Sequence, residues 1–160
     1  MEDFQLFLMR HGRADNSVPD ASRVLTSKGK AQVKDVTAQL SQAGILTAKT
    51  SIHFFHSGFL RAEETANIVQ LSCDAILNKS EHLFPESSPQ FWEEEIKKII
   101  DKKAWDRVFL VGHLPYMSKL AMRIVGPEMA MDFTTAQVVH LEFKRDTQKW
   151  KLQKVYLPAK

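Results

Sequence analysis

The chain has 160 residues, of which 44% are hydrophobic, and its formal net charge is +3. That length suits one compact domain over residues 1–160, and the ordinary hydrophobic content argues against a disordered chain. The charge is too small, and its lysines too dispersed, to predict a nucleic-acid-binding protein, although a mildly cationic chain suits an anionic substrate.

The sequence has no features of a secreted or membrane protein. Its N-terminus lacks the basic region and long apolar stretch of a secretory signal, and no apolar run is long enough to cross a bilayer. The single cysteine, Cys73, cannot form an internal disulfide, which agrees with a reducing compartment. We therefore expect a cytoplasmic protein with no membrane partner.

Short apolar runs alternate with amphipathic segments along the chain, and this pattern predicts an α/β fold. The first strand is predicted over residues 5–9, and a long loop follows from Gly12 to about Leu25. Loops of that length within a compact domain are usually functional. Thr26 or Ser27 can then cap a helix that ends near Gly44.

The middle of the chain continues this alternation. A strand is predicted over residues 52–56, a helix over residues 61–70 and a short third strand over residues 75–77. Residues 89–101 read as an amphipathic helix, because the apolar side chains cluster on one side. Trp92 belongs to that apolar side and is predicted to lie in the core.

The last part of the chain predicts the remaining strands. Residues 107–111 contain Val-Phe-Leu-Val, an almost continuous apolar run that suits a strand buried on both faces. A helix over residues 116–125 follows, and two late strands, 137–143 and 150–157, are predicted to pair as a hairpin. The expected fold class is a three-layer α/β fold: an open, mostly parallel sheet with helices on both faces.

Three of the predicted strands end in residues that could bind phosphate. They are Arg10-His11-Gly12 after the first strand, Ser57 to Arg61 after the second, and Gly112-His113 after the fourth. Ligands of open α/β sheets bind beyond the carboxyl ends of the strands, so these residues should converge if the strands are parallel. A histidine can attack phosphorus, and an arginine can hold two phosphate oxygens. The set therefore predicts a cationic pocket that contains a nucleophile.

Metal binding is a competing use of histidines. His53 and His56 lie three residues apart on a predicted strand, which places them on opposite faces of the sheet. No cysteine or carboxylate cluster completes a ligand set around them. His82 and His140 have no neighbours that suggest more than surface or packing roles. We expect neither a metal nor a cofactor.

The order and spacing of these motifs resemble the histidine phosphatase superfamily, and within it the compact SixA-type phosphohistidine phosphatases. The resemblance covers nearly the whole chain. The matching segments are residues 8–12, 23–26, 57–65, 112–115 and 133–135.

The resemblance implies roles for individual residues. It implies that His11 is the nucleophile that takes up the phosphoryl group. Three further residues would bind the equatorial oxygens of that group and stabilise the charge that develops there; they are Arg10, Arg61 and His113. The implied substrate-binding residues are Gly12, Arg23 and Leu114. Arg23 could equally be an ordinary exposed arginine of the long loop.

No carboxylate stands out as the acid that would protonate a leaving oxygen. The candidates are Glu81, Glu86, Asp15 and Asp20, of which Glu81 follows the third strand at about the position that the family implies. Imidazole has a pKa near 6.5 and leaves a phosphoramidate with far less help than an alkoxide needs, so the weak acid signal favours phosphohistidine. Residues 78–89 are too few to build a lid, which predicts an open site.

The expected function is that of a phosphatase with a covalent phosphohistidine intermediate that dephosphorylates phosphohistidine on a protein partner. A histidine phosphotransfer domain of a signal-transduction system would be such a partner, and phosphate or another oxyanion would occupy the pocket. Two alternatives stay open. One is a small-molecule phosphomonoesterase of the same superfamily with Glu81 as its acid. The other is a noncatalytic phosphate-binding module, which would have no need of the nucleophile His11.

Overall fold

A six-stranded sheet runs through the molecule and carries two helices on each face. The computed structural model describes residues 2–16 and 18–159, so Ser17 of the predicted loop and both ends of the predicted domain, Met1 and Lys160, lie outside the described residues. In chain order the elements are β1 (Phe4–Arg10), α1 (Ser27–Gln42), β2 (His53–His56), α2 (Leu60–Gln70), β3 (Leu77–Lys79), α3 (Gln90–Lys102), β4 (Arg107–Gly112), α4 (Tyr116–Val125), β5 (Val138–Lys144) and β6 (Lys149–Tyr156).

The strands lie in the order β3-β2-β4-β1-β5-β6. The first four of these are mutually parallel, whereas β5 runs antiparallel to β1 and pairs with β6 in a hairpin. This arrangement confirms the predicted mostly parallel sheet with helices on both faces. Because β2, β4 and β1 are adjacent and parallel, their carboxyl ends meet at one edge of the sheet.

The central strands β1 and β4 are buried on both faces. In β1, Leu6 and Leu8 pack in the core cluster formed with α3 and α4, while Phe7 and Met9 pack in the cluster formed with α1 and α2. A strand covered by helices on both sides needs apolar side chains at every position, which explains the continuous apolar run predicted for β4.

Within the described ranges, no helix combines the length and apolar character needed to cross a membrane.

The helix boundaries follow local signals in the sequence. The Thr26 side chain caps α1 by accepting a hydrogen bond from the backbone N–H of Gly29 at 2.9 Å. After the helix, Gly44 has a φ of +77°, the left-handed conformation expected of a glycine that follows a helix end. Trp92 is buried in the cluster between the sheet and α3, which confirms its predicted place in the core.

The predicted bounds of the third strand, residues 75–77, are wrong, because β3 runs from Leu77 to Lys79. β3 is an edge strand, and its ladder joins Leu77 through Lys79 to residues 54–56 of β2. Ile76 lies outside the ladder and is 79% exposed, so the apolar character of the predicted segment does not reflect burial. Pairing with the neighbouring strand, rather than hydrophobicity, sets the bounds of this strand.

Candidate active site

The carboxyl ends of β1 and β4 bring two histidines together. Arg10 pairs with Gly112 in the ladder between these strands, and the backbone N–H of His11 donates to the Gly112 carbonyl at 3.0 Å. His11 and His113 therefore follow adjacent strand ends, and their ring centroids lie 5.1 Å apart. The convergence that parallel strands predict for these residues is observed.

His11 is a neutral imidazole with an unprotonated Nε2. Its Nδ1 lies 2.7 Å from the Gly12 carbonyl, which can only accept, so Nδ1 carries the proton and donates it. Nε2 accepts a hydrogen bond from Nε of Arg61 at 3.2 Å. Burial lowers the pKa of His11 to about 3; the bond to Gly12 opposes this shift, and the charges of Arg61, Arg10 and Arg23 add to it. The unprotonated nitrogen is therefore Nε2, whose lone pair accepts the hydrogen bond of a guanidinium.

Arg61 lies in the first turn of α2 and is buried. Its Nη1 donates to the Asp20 carbonyl oxygen at 2.7 Å, and its Nη2 lies 3.3 Å from Oδ1 of the same residue. The guanidinium carbon also lies 5.2 Å from the ring centroid of Phe59. A cation near a helix N-terminus is unfavourable unless an anion accompanies it, and Asp20 supplies that anion here.

Arg10 ends β1 with unused donor capacity. Its Nη1 donates to the Phe133 carbonyl at 2.8 Å, whereas its buried Nε finds no hydrogen-bond partner in the described part of the chain. Burial, and then the positive charge of Arg23, lower the pKa of Arg10. These guanidiniums are thus close enough to repel one another, and an oxyanion between them would relieve that repulsion.

The long loop brings Arg23 to the same place. Nε of Arg23 donates to the Asp15 carbonyl at 2.7 Å, and Nη1 lies 3.2 Å from Oδ1 of Asp20. Asp20 therefore bridges Arg23 and Arg61. The structure thus brings this loop arginine together with the strand-end residues, and its contact with substrate stays a prediction.

His113 is held by a serine that follows β2. Its Nε2 lies 2.6 Å from Oγ of Ser57, and the same oxygen accepts a hydrogen bond from the backbone N–H of Phe59 at 3.2 Å. A hydroxyl that accepts from Phe59 can donate its own proton to Nε2, and we infer this arrangement, which places the proton of His113 on Nδ1. Burial lowers the pKa of His113 to about 2, and the electrostatic effects of His11 and the three arginines add to this shift.

The Nδ1 atom of His113 is buried and has no hydrogen-bond partner among residues 2–16 and 18–159. Buried polar groups are normally bonded, and leaving one unbonded costs on the order of 1–3 kcal/mol. Among the described residues, Nδ1 of His113 is therefore an unbonded polar atom on the ring that packs beside His11.

Gly12 packs against α1. Its N–H donates to Oγ1 of Thr65 at 3.1 Å, and a Cβ placed on Gly12 would lie 2.8 Å from the Gly29 carbonyl oxygen. The missing side chain thus lets α1 approach the residue after His11. Leu114 is half-buried against the core cluster. Substrate contact by Gly12 and Leu114 stays a prediction.

Two of the four candidate acids lie in the long loop. Burial alone would raise the pKa of Asp20, but its hydrogen bond with Arg23 and the charge of Arg61 together lower that pKa. Asp20 is therefore ionised at neutral pH and is a poor proton donor. Asp15 uses its backbone carbonyl to hold Arg23.

The other two candidate acids follow β3. Glu81 begins a short 3₁₀ turn over Glu81–Leu83 and lines a cleft of about 570 Å³ together with Ser57 and Phe59. Glu86 is exposed and is not among the residues that line this cleft. Glu81 is therefore the candidate acid that shares a cavity with residues contacting His113.

Two residues that support the site gain these roles only from the structure. Ser57, which the sequence places in a phosphate-binding motif, bonds Nε2 of His113. The Gln137 side chain accepts a hydrogen bond from the backbone N–H of Thr134 at 3.0 Å. That bond holds the turn that presents the Phe133 carbonyl to Arg10, a contact across 123 positions that has no local sequence signal.

Both histidines of β2 have partners within the fold. The His53 ring stacks on Trp105 with centroids 3.8 Å apart, and Nδ1 of His56 accepts a hydrogen bond from the backbone N–H of Gly58 at 3.1 Å. Within residues 2–16 and 18–159, no three His, Cys, Asp or Glu side chains are grouped so that they could hold a metal ion.

Comparison with known proteins identifies the fold. No family model and no curated protein matches the sequence. Among solved structures, the protein histidine phosphatase SixA complexed with tungstate is similar with a TM-score of 0.84 and 21% identity, over 97% of each chain. A candidate phosphohistidine phosphatase SixA from Agrobacterium tumefaciens has a TM-score of 0.79 and 18% identity, over 98% of this chain and 99% of that one.

An enzyme with a small-molecule substrate shares the same architecture. Mycobacterial glucosyl-3-phosphoglycerate phosphatase is similar with a TM-score of 0.70 and 13% identity, over 99% of this chain and 100% of that one. The chain therefore has the histidine phosphatase fold, and the resemblance to SixA-type proteins is confirmed at the level of the fold.

Proposed function

We propose that this chain is a phosphatase of the histidine phosphatase superfamily that forms a covalent intermediate on His11 and removes phosphate from phosphohistidine on a partner protein. The observation that carries the proposal is the state of His11. Its Nδ1 proton is donated to Gly12, so Nε2 is unprotonated, and its lone pair accepts a hydrogen bond from Arg61 at 3.2 Å. When the guanidinium turns this bond to a phosphate oxygen, the lone pair can attack. A neutral imidazole beside an anion-binding group is suited to attack phosphorus.

In the first step, Nε2 of His11 attacks phosphorus while the P–N bond of the substrate breaks. The leaving imidazole keeps the bonding electron pair and takes a proton from solvent. Arg10, Arg61 and the Nδ1–H of His113 stabilise the charge on the equatorial oxygens. Phosphate oxygens replace those of Asp20 on Arg61 in this step.

In the second step, water attacks the phosphorus of phosphorylated His11. The N–P bond breaks, its electron pair returns to Nε2, and the attacking water loses one proton to solvent. Free phosphate is the product. The neutral imidazole of His11 is restored, and its Nδ1–H still donates to the Gly12 carbonyl.

The choice of phosphohistidine rests on the leaving group. Asp20 is ionised beside two arginines, so it holds no proton to donate to a leaving group. An imidazole leaving group tolerates this, because its pKa is near 6.5 in free histidine, whereas an alkoxide needs protonation. The turn after β3 is short, which leaves room for a side chain carried by another protein.

The experiment compares phosphate release from a phosphohistidine protein and from small phosphomonoesters, with wild type, His11→Ala and the control His82→Ala. His82 stacks on Phe91 and lies outside the site. We expect wild type and the control to prefer phosphohistidine and to form an acid-labile phosphohistidine on the chain. His11→Ala should lose activity by at least about a thousandfold. Equal or greater efficiency on the esters would refute the choice of substrate, and a fully active His11→Ala would refute the mechanism.

A small-molecule phosphomonoesterase is the second candidate, favoured by the position of Glu81 in the cleft. Glu81→Gln removes the acidic group and keeps the shape of the side chain. Glu86→Gln, at an exposed position outside the cleft lining, is the matched control. Loss of ester hydrolysis in Glu81→Gln alone would support this candidate. Full retention of ester hydrolysis would argue against it.

A further inference from the structure

An aromatic-walled cleft opens beside the residues that hold the histidines and arginines. It has a volume of about 570 Å³, and its lining includes Ser57, Phe59, Lys79, Glu81 and Phe84. The motif that follows β2 contains Ser57 and Phe59, whereas Phe84 belongs to none of the sequence motifs.

Residues that line the cleft contact residues of the site. Oγ of Ser57 bonds His113, and the Phe59 ring contacts both the His113 ring, at a centroid distance of 5.1 Å, and the guanidinium of Arg61. Ala21, which also lines the cleft, directly follows the residue that binds Arg61. A group attached to a phosphoryl bound by these residues has this cleft next to it.

Phe84 is exposed and yet fixed in place. The residue is 38% exposed, and its ring centroid lies 5.1 Å from that of Phe59, with an angle of 49° between the two planes. The backbone N–H of Phe84 donates to the Glu81 carbonyl at 3.1 Å, and its own carbonyl accepts from Ser87 at 3.0 Å. The adjacent Leu83 is fully buried. An aromatic face held rigidly at a cleft is suited to stack a flat ring at little entropic cost.

The other wall adds no strong net charge. The aliphatic stem of Lys79 lies over Gly58, since a Cβ placed on Gly58 would lie 3.6 Å from its Cδ. Lys79 and Glu81 carry opposite charges at the cleft. A second phosphate or another strongly anionic group would therefore gain little there.

We propose that this cleft is a leaving-group subsite in which Phe84 and Phe59 stack the flat ring of an aromatic leaving group, the imidazole of phosphohistidine. The inference rests on the proposed phosphoryl transfer to His11 and adds a specificity residue, Phe84, to it. The subsite distinguishes a phosphorylated imidazole from a phosphorylated aliphatic side chain even where both carry a P–N bond.

The test uses one peptide sequence in two forms, with phosphohistidine or with phospholysine. Phe84→Leu keeps the apolar volume but removes the flat ring, and Phe84→Tyr keeps the ring. Phe91→Ala is the matched control, because Phe91 is 39% exposed, stacks on His82 and lies outside the cleft lining. The quantity measured is kcat/KM for phosphate release.

We expect Phe84→Leu to lower kcat/KM for the phosphohistidine peptide about fivefold and to leave the phospholysine peptide within about twofold of wild type. Phe84→Tyr and Phe91→Ala should stay within about twofold on both peptides. An equal loss on both peptides, or no loss on either, overturns the subsite.

If wild type releases no phosphate from the phospholysine peptide, the subsite is tested by comparing Phe84→Leu with Phe84→Tyr on the phosphohistidine peptide. A loss in both variants, or in neither, then overturns the subsite. Failure of the proposed function has a different signature, because wild type itself would then release no phosphate from the phosphohistidine peptide.

Discussion

At the scale of single residues, we infer that Ser57 fixes which nitrogen of His113 carries the proton. The Ser57 oxygen already accepts from the backbone N–H of Phe59, so its own proton is available to Nε2 of His113. The result is a neutral histidine whose Nδ1–H remains for a ligand. Ser57 is thus a positioning residue that acts through His113.

Ser57→Ala should release His113 from this single tautomer. We expect nitrogen NMR to show mixed protonation of Nδ1 and Nε2 in His113, and kcat for phosphohistidine to fall about tenfold, because a correctly placed donor is lost in part of the population. Ser57→Thr restores a hydroxyl and should restore both the tautomer and most of the rate.

The matched control for Ser57→Ala is Thr37→Ala, which removes a buried hydroxyl that bonds Val33 within α1. It should leave the His113 spectrum and kcat unchanged. An unaltered His113 tautomer in Ser57→Ala would show that another contact fixes the proton.

At the scale of elements, the loop between β1 and α1 places a carboxylate on the arginines. A bridge between Ala14 and Leu25 closes the loop, and Oε1 of Glu64 in α2 accepts a hydrogen bond from the Leu25 backbone N–H at 2.8 Å. From this closed loop, Asp20 reaches Arg61 and Arg23. A phosphate group must compete with that carboxylate for the same donors.

Asp20→Asn should therefore strengthen phosphate binding. The Asp20 side chain is 60% exposed, so solvent screens its charge and we expect only about a threefold fall in the inhibition constant of inorganic phosphate. Asp146→Asn, in the hairpin turn at the opposite edge of the sheet, makes the same charge change as a control. Unchanged or weaker phosphate binding in Asp20→Asn would contradict the competition.

At the scale of the whole molecule, buried neutral histidines link folding stability to pH. The pKa is about 3 for His11 and about 2 for His113, against about 6.5 in an unfolded chain. Below pH 6.5 the unfolded chain therefore binds protons that the folded chain does not. The stability is complete above pH 6.5 and falls as the pH drops from 6.5 towards 3.

Between pH 7 and pH 5, His11 and His113 together should reduce the free energy of unfolding by about 4 kcal/mol, about 2 kcal/mol each. Urea unfolding at both pH values measures this, and the control His82→Gln should keep the pH dependence. His113→Gln should reduce it by about 2 kcal/mol. An unfolding free energy that stays constant over this range would contradict the linkage.

Much of the fold and part of the site follow from sequence patterns. His11 and His113 meet because each follows an apolar run that forms a parallel strand, and Arg61 joins them from the helix after β2. Alternating apolar and amphipathic segments are enough to predict such an arrangement. The strand-end motifs therefore predict the convergence of the site.

Other features depend on tertiary contacts that no local pattern encodes. Asp20 reaches Arg61 only because the loop closes on α2, and the Phe133 carbonyl reaches Arg10 through a turn held by Gln137. The bounds of β3 depend on its pairing with β2, which hydrophobicity does not reveal. The hydrogen bond between Ser57 and His113 likewise has no local sequence pattern that predicts it.

The site draws its groups from distant parts of the chain, since Arg10, Arg61 and His113 come from three separate strand–helix connections. An oxyanion bound among them binds the folded chain and not the unfolded one, so it stabilises the fold by mass action. At a hundred times its dissociation constant that stabilisation is about 2.7 kcal/mol. If the proposed site binds phosphate, stability measured in phosphate buffer should therefore exceed the intrinsic stability, which is the value measured without oxyanions.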